Sequence, residues 1–252
     1  MITIFQLFKK IWQNRVGKVI LLVLSSIILV IFLIWYITFF NQKVINFNGE
    51  SLVQTKLDDS TQYKGNYLFD PILITVQNND QNTEEIIVEY NLPNNLYFKY
   101  LVYFEKTQNY GKKIRILQDN KEIFNGIYNN SQSSLYLYTN NMEPYLDDEL
   151  RIIVNNDYYP RDYTPSLSSI ARFATGDGVE NRGNIYLIIM FFIVLIIYFI
   201  DIKFPLFFFV LHNFMSVKDP EPTEFYLFMQ KLSWYVIYPI ILVVLLFMGV
   251  WY

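Results

Sequence analysis

Three groups of side chains have the residue types and spacing to do chemistry. The first is the carboxylate run Asp147-Asp148-Glu149, with Glu143 close before it. Carboxylates gathered in a turn are the hard oxygen donors that calcium takes, so Asp147, Asp148 and Glu149 are the candidate metal ligands. The EF-hand spacing is absent, and acids ahead of a strand also serve simply as a solvated turn. The second group is Thr175-Gly176-Asp177-Gly178, with Arg172 and Glu180 nearby. Its glycines permit a tight turn that presents Asp177; the competing reading is a flexible neck. The third group sets Asp201, Lys203, His212, Lys218, Asp219, Glu221 and Glu224 among Phe204, Phe207, Phe208 and Phe209. His212 suits a switch or an interfacial anchor, and the aromatic cluster suits docking. Phe207, Phe208, His212, Pro220, Pro222 and Tyr226 are the candidate partner-facing residues.

Several chemistries are excluded by what the chain lacks. There is no cysteine, which removes disulfides, thiolate metal sites and cysteine nucleophiles. His212 is the only histidine, so no site in one chain can use two imidazoles. The motifs G-x-S-x-G, H-E-x-x-H, G-x-x-x-x-G-K-[ST] and G-x-G-x-x-G do not occur. A net charge of −3 without a basic patch argues against nucleic acid. No cofactor is expected.

The elements that hold these groups are set by hydropathy. The chain is 53% hydrophobic and 19% aromatic, with its apolar runs at the two ends and a polar, Asn- and Tyr-rich middle. Residues 19–40 carry no charge and exceed the roughly 20 residues of helix that cross a hydrocarbon core. They end without a small-residue cleavage site, which reads as an uncleaved signal-anchor. Ser25 and Ser26 near its middle are candidates for a helix contact. Before it, residues 1–18 read as an amphipathic basic helix; Lys9, Lys10, Arg15 and Lys18 with no acid place the amino terminus in the cytoplasm.

Two further runs follow. Residues 185–202 make a second expected span, extended at its ends by Asn184 and Ile202. Residues 203–223 form an expected cytoplasmic segment, with a short interfacial helix from about Pro205 and a Pro-rich loop. Residues 224–252 make the third span, with Thr223 as N-cap, Glu224 favourable in the first turn and a kink at Pro239. The carboxyl terminus then lies outside.

The central segment between the first two spans carries 19 acidic residues against 13 basic ones, as suits a translocated domain. Residues 41–157 contain short β-branched and aromatic runs, among them 72–76, 86–90, 96–104, 114–117, 122–124, 135–138 and 150–154. Asp119-Asn120 reads as a hairpin turn. The expected fold is an α+β membrane protein, with three transmembrane helices and one extracytoplasmic antiparallel β-sandwich; a closed barrel is the alternative. Residues 158–184, with their prolines and glycines, read as a linker or stalk. Asn129-Asn130-Ser131 is a glycosylation sequon that chance accounts for in so Asn-rich a chain.

The function that follows is a non-enzymatic accessory or interaction protein of the cell membrane. It would present its β-domain to a partner or ligand and pack its helices with lipid and with another membrane protein or a second copy of itself. The alternatives are a sensor or immunity-type protein, a membrane-bound hydrolase and a transport component. Catalysis is disfavoured because the outer segment has neither His nor Cys. Transport is disfavoured because the spans carry no ionisable residue at mid-depth.

Overall fold

Turn chemistry orders the central domain. Asn48 and Gly49, and again Asp119 and Asn120, sit at positive φ, a region these residue types tolerate best. Each pair closes a hairpin, Phe47 facing Glu50 in one and Gln118 facing Lys121 in the other. The computed structural model describes residues 15–78, 85–106, 111–129, 137–145, 159–213 and 221–251. It divides into two units, the central domain Lys43–Glu180 and the helical regions on either side of it.

The strands are β1 (Lys43–Phe47), β2 (Glu50–Lys56), β3 (Ser60–Tyr67), β4 (Asp70–Asn78), β5 (Glu85–Leu92), β6 (Leu96–Lys106), β7 (Lys112–Gln118), β8 (Lys121–Tyr128) and β9 (Leu137–Thr139). From β1 to β9 each pairs antiparallel with the next, and the short strand β10 (Glu180–Asn181) lies beside β1. The expectation of a sandwich needs two sheets. Instead the ten described strands form one sheet, ordered β10-β1-β2-β3-β4-β5-β6-β7-β8-β9.

The face that a second sheet would cover is covered by a helix. Helix α1 (Arg15–Phe40) precedes the domain; helix α2 (Leu167–Thr175) lies inside it. The segment 158–184 is therefore more than a linker. Ser166 caps α2, its hydroxyl accepting from the Ser169 amide at 3.2 Å. Gly176 ends it at φ 73, with the Asp177 amide bonded to Arg172 O and the Gly176 amide to Phe173 O, a Schellman closure. Between the caps, Ser168, Ser169, Ile170, Ala171, Phe173 and Ala174 are all buried.

Phe173 is the centre of the core. Its ring meets Phe47 of β1, Tyr63 of β3 and Tyr90 of β5 edge-on, at centroid distances of 5.5, 5.0 and 5.8 Å, the geometry that aromatic quadrupoles favour. At the other flank, Tyr128 of β8 donates to Asp177 Oδ2 at 2.6 Å and lies 3.3 Å from Thr175 Oγ1. Seven strand spacings of about 4.8 Å separate β1 from β8, so a flat sheet would hold them roughly 34 Å apart. Both reach one short helix. The sheet is consequently curled around α2 as an open half-barrel, with β10 and β9 as its outermost described strands.

The end of the half-barrel near the start of α2 is closed by tyrosines. Tyr159 and Tyr163 are buried and pack on each other at 5.1 Å, with Tyr67 against Tyr159 at 5.3 Å. Asn48 donates to the Tyr163 hydroxyl at 3.0 Å and Asn94 to Tyr159 O at 2.7 Å. One tight turn at this end departs from the usual chemistry. The β3–β4 hairpin, closed by the pair Tyr67 and Asp70, has Leu68 and Phe69 at its tip. Leu68 sits at φ 55 and is 78% exposed, and Phe69 is 99% exposed. A leucine in the left-handed region costs about 1–2 kcal/mol.

Outside the domain, three helices are long and apolar enough to cross a membrane. The first is α1, with 26 residues, none of them buried. The second is α3 (Ile185–Lys203), which Asn184 caps by accepting from the Tyr186 amide at 3.0 Å. The third is continuous over Glu224–Val250 and comprises α5 (Glu224–Leu232), a π-turn (Ser233–Ile237) and α6 (Tyr238–Trp251). Thr223 caps it, accepting from the Tyr226 amide at 3.2 Å. The kink expected at Pro239 takes the form of that π-turn: the Tyr238 amide reaches back five residues to Ser233 O. A proline would clash with the carbonyl four residues before it, and the wider turn moves that carbonyl aside. Between α3 and α5 lies the short helix α4 (Phe207–Asn213).

These helices are tied at one end by backbone contacts. The Gly183 amide bonds Phe40 O, the Asn184 amide bonds Gly249 O, and the Tyr36 hydroxyl bonds Leu246 O at 3.1 Å. Arg182 stacks its guanidinium 4.2 Å over Phe39. Gly183 is required there, because a Cβ would fall 2.1 Å from the Phe40 ring.

If Phe173 is the centre that bends the sheet, Phe173→Ala should destabilise the domain by about 3–5 kcal/mol, whereas Phe69→Ala should cost nearly nothing. Denaturation of the full chain in mild detergent, followed by the β circular dichroism signal, compares the two; equal effects would contradict the packing. The buried tyrosines make a second prediction. Burial pushes Tyr100 up from 10.0 to about 12, Tyr90 and Tyr159 are also raised by burial, and unfolding returns all three to the ordinary value. The stability they contribute is complete below pH 10 and is lost as pH rises towards 12. Tyrosinate absorbance should show an early phase from exposed rings and a late cooperative phase that coincides with loss of the β signal; a single smooth titration with the fold intact would refute this.

Candidate functional site

A cleft lies at the end of the half-barrel where α2 stops. A cavity of about 660 Å³ opens between β1, the β2–β3 hairpin and the α2 carboxyl end. Its floor is apolar, with Tyr63, Val76, Phe173 and Ala174, and its rim is polar, with Lys43, Lys56, Asp58, Asp59, Ser60 and Thr61. These positions follow from the meander: Lys43 begins β1, Lys56 ends β2, and the Leu57–Asp59 connection carries the acids. Two ammonium and two carboxylate groups at one mouth suit a small polar or zwitterionic molecule or an extended peptide, with the floor taking an apolar portion. Gln54 donates to the Tyr63 hydroxyl at 3.2 Å. Burial raises the Tyr63 pKa and that hydrogen bond partly opposes it, so the phenol stays protonated across neutral pH.

Beside the cleft, the motif Thr175-Gly176-Asp177-Gly178 has a structural occupation. Asp177 accepts from Tyr128, its amide donates to Thr175 Oγ1 at 3.3 Å, and Thr175 Oγ1 lies 3.0 Å from Ala171 O. The group clamps the end of α2 to β8. Gly178 at φ 78 lies against Arg172, whose Nη2 would be 2.8 Å from a Cβ there. Gly176 and Gly178 thus serve cap and close approach, and Asp177 holds a strand rather than facing a ligand.

A second polar centre lies among the long helices, at the end of α3 remote from Asn184. Asp201 is buried, only 5% exposed. Gln230 of α5 donates to its Oδ1 at 3.0 Å and Trp234 of the π-turn donates to its Oδ2 at 2.6 Å. Gln230 also bonds Pro205 O, and the Tyr198 hydroxyl donates to Trp234 O at 3.0 Å. A carboxylate set among apolar helices must have its oxygens satisfied, and the π-turn is what swings the indole onto it. Next to this centre, Lys203, Phe204, Pro205, Leu206, Phe207, Val210 and Leu211 line an open apolar groove of about 700 Å³.

The remaining expected residues fall as follows. Phe207 and His212 are exposed on α4, while Phe208, Pro222 and Tyr226 are half-buried, with the Tyr226 ring 4.8 Å from Phe209. Pro220 lies outside the described residues, as do residues 1–14, the candidate metal ligands Asp147, Asp148 and Glu149, and the strand expected at 150–154. Among the described residues no three His, Asp or Glu side chains gather as metal ligands would. Ser25 and Ser26 are exposed and donate within their own helix to Leu22 O, at 2.9 and 2.8 Å.

Sequence reasoning grouped Asp201 with the charged residues that follow it and missed its pairing with Gln230 and Trp234. It also missed β1 to β3 and α2, although signals were present. Asn48-Gly49 between alternating apolar residues is a strong hairpin sign. Ser166 and Gly176 bracket Leu167, Ile170, Ala171 and Ala174, which recur at helical spacing. Comparison with known protein families, with characterised proteins and with solved structures finds no match to this chain.

Asp201 yields a graded prediction. Asp201→Ala leaves the Gln230 and Trp234 donors without acceptors in an apolar setting and should cost about 1–3 kcal/mol. Asp201→Asn keeps one acceptor and should cost less. Thermal unfolding of the full chain in detergent, followed by tryptophan emission, ranks the variants; Asn as harmful as Ala would show that charge, rather than hydrogen bonding, holds the helices.

Proposed function

We propose that this chain is a membrane-anchored accessory or interaction protein. Its three long helices sit in the cell membrane, with the amino terminus in the cytoplasm, and the curled sheet and the carboxyl terminus lie outside. The sheet domain is presented to a partner, and the helices pack with lipid and with another membrane protein or a second copy.

The observation that carries this reading is the surface of α1. All 26 residues escape burial, and Ile28, Ile31 and Ile34 each expose more than 60% of their surface. An apolar surface of that length is stable only when something other than water covers it, and at about 1.5 Å per residue it spans roughly 39 Å, more than a hydrocarbon core needs. Four cations before the apolar run and an acid-rich central segment support the orientation. Between the helices stands a folded domain with its own aromatic core and a polar cleft, the form of a binding module. Thr175 and Gly176 line that cleft, and the Asp177 carboxylate beside them is held by the Tyr128 hydroxyl.

Three measurements test the reading. The chain should resist extraction by alkaline carbonate, and protease added to intact cells should cut the central domain. Purification in mild detergent should then recover a stoichiometric companion. A chain released without detergent, a central domain protected in intact cells, or a clean monomer with no companion would each overturn the corresponding part.

A further inference from the structure

We propose that the Leu68-Phe69 hairpin tip docks into an apolar pocket, rimmed by cations, on a partner protein. The inference deepens the interaction reading above and rests on it.

The tip is anomalous against its own sheet. The β1–β2 turn is Asn48-Gly49 and the β7–β8 turn is Asp119-Asn120, residues chosen for positive φ. The β3–β4 turn makes the same sharp reversal with Leu68 at φ 55 and Phe69 beside it. Neither the backbone nor the core explains these residues. Leucine strains the turn, and the Phe69 ring, 99% exposed, packs on no described residue of the domain. Strain and exposed apolar surface held together at one point mark a site of function.

The tip is also held firmly. Its base residue Tyr67 packs edge-on against the buried Tyr159, and β3 and β4 pair without interruption from Ser60 and Gln77 up to Tyr67 and Asp70. A preordered aromatic side chain loses little freedom on binding, and a phenylalanine seated in a partner's pocket is the kind of anchor that dominates an interface.

Charge selects the occupant. Alternate hairpins of a meander turn at the same end, so the tips at 48–49, 68–69 and 119–120 share one end of the sheet with the Tyr159–Tyr163 loop. The 48–49 tip lies roughly 10 Å from the 68–69 tip, and the 119–120 tip roughly 19 Å from it, beyond the β5–β6 turn. The carboxylates at this end are Glu50, Asp70, Asp119 and Asp162, against Lys121 and Arg161. Asp70 closes the Leu-Phe turn itself. An acidic collar repels anionic headgroups, which disfavours a bilayer surface, and it complements a protein pocket with a basic rim.

The test uses the full chain. A photoreactive phenylalanine analogue is placed at position 69, with a control at position 120, in the native membranes; the crosslinked protein is identified and purified, and its affinity for the full chain in mild detergent is measured. Adduct should form with one protein species at 69 and not at 120. The combined change Leu68→Gly with Phe69→Asn should weaken binding at least about tenfold and keep or raise the thermal midpoint, since glycine suits the positive φ at position 68. If that variant loses its midpoint, Phe69→Ala carries the same comparison with the backbone unaltered. Adducts only with lipid, adducts only with a second copy of the chain, no discrete adduct, or an affinity unchanged by these variants would overturn the proposal. A companion that co-purifies with wild type and binds the tip variants equally well leaves the interaction reading standing and removes the tip from it; a chain with no companion removes the interaction reading itself.

Discussion

The edge-on contacts of Phe173 with Phe47, Tyr63 and Tyr90 tie strands β1, β3 and β5 to one helix, and much else in the central domain follows from them. A ten-strand antiparallel sheet has a large apolar face and must cover it. Here the cover is a single nine-residue helix. That is possible only because the sheet bends until distant strands reach the same few side chains. Aromatic residues suit this arrangement, since large rings bridge the gap between a curved sheet and a thin helix. The tyrosines add hydroxyls that satisfy buried polar atoms: Tyr128 on Asp177, Tyr90 near Ser169 at 3.5 Å, and Tyr163 on Asn48. The high aromatic content of the chain is thus partly the material of this core and partly that of its apolar helices.

The helical unit solves a different problem. Its long helices carry little amphipathic bias, and their exposed faces are apolar almost throughout. Packing among them is therefore specified by the few polar contacts they make. At one end these are backbone bonds that Gly183 and Gly249 permit by close approach; at the other they are the two hydrogen bonds received by Asp201. The π-turn ahead of Pro239 links backbone to network, because the change of pitch that relieves the proline also directs Trp234 onto the carboxylate. In an apolar medium such contacts have no competition from water, so a few suffice to fix the register of helices whose apolar faces are otherwise interchangeable.

The domain divides its ends by chemistry. Where α2 stops, the curled sheet opens on a polar cleft with a mixed-charge rim. Where α2 begins, tyrosines close it, and the surface there is acidic turns around one apolar point. Most tight turns in the sheet use residues that relieve the backbone. Leu68 and Met142 depart from this, each an exposed apolar residue at positive φ, and the Leu68 turn adds the almost fully exposed Phe69 ring.

What the amino-acid sequence determined by itself was whatever depends on local composition. The apolar runs, the cap at Thr223, the distortion at Pro239 and the Asp119-Asn120 turn are properties of neighbouring residues, and each is legible without a fold. Strands 72–76, 86–90, 96–104 and 114–117 were legible for the same reason, being β-branched and aromatic. The polar strands β2 and β3 were not, because Gln54, Thr55, Gln62 and Lys64 carry no apolar alternation strong enough to announce them; their partners hold them extended. The residues 167–175, set among prolines and glycines, looked like a stalk, and only the sheet that buries them makes them the core helix. One sheet or two, the curvature, and the pairing of Asp201 with Gln230 and Trp234 across some thirty positions were decided by tertiary structure alone, since each depends on which distant surfaces meet, and hydropathy along a chain carries no record of that.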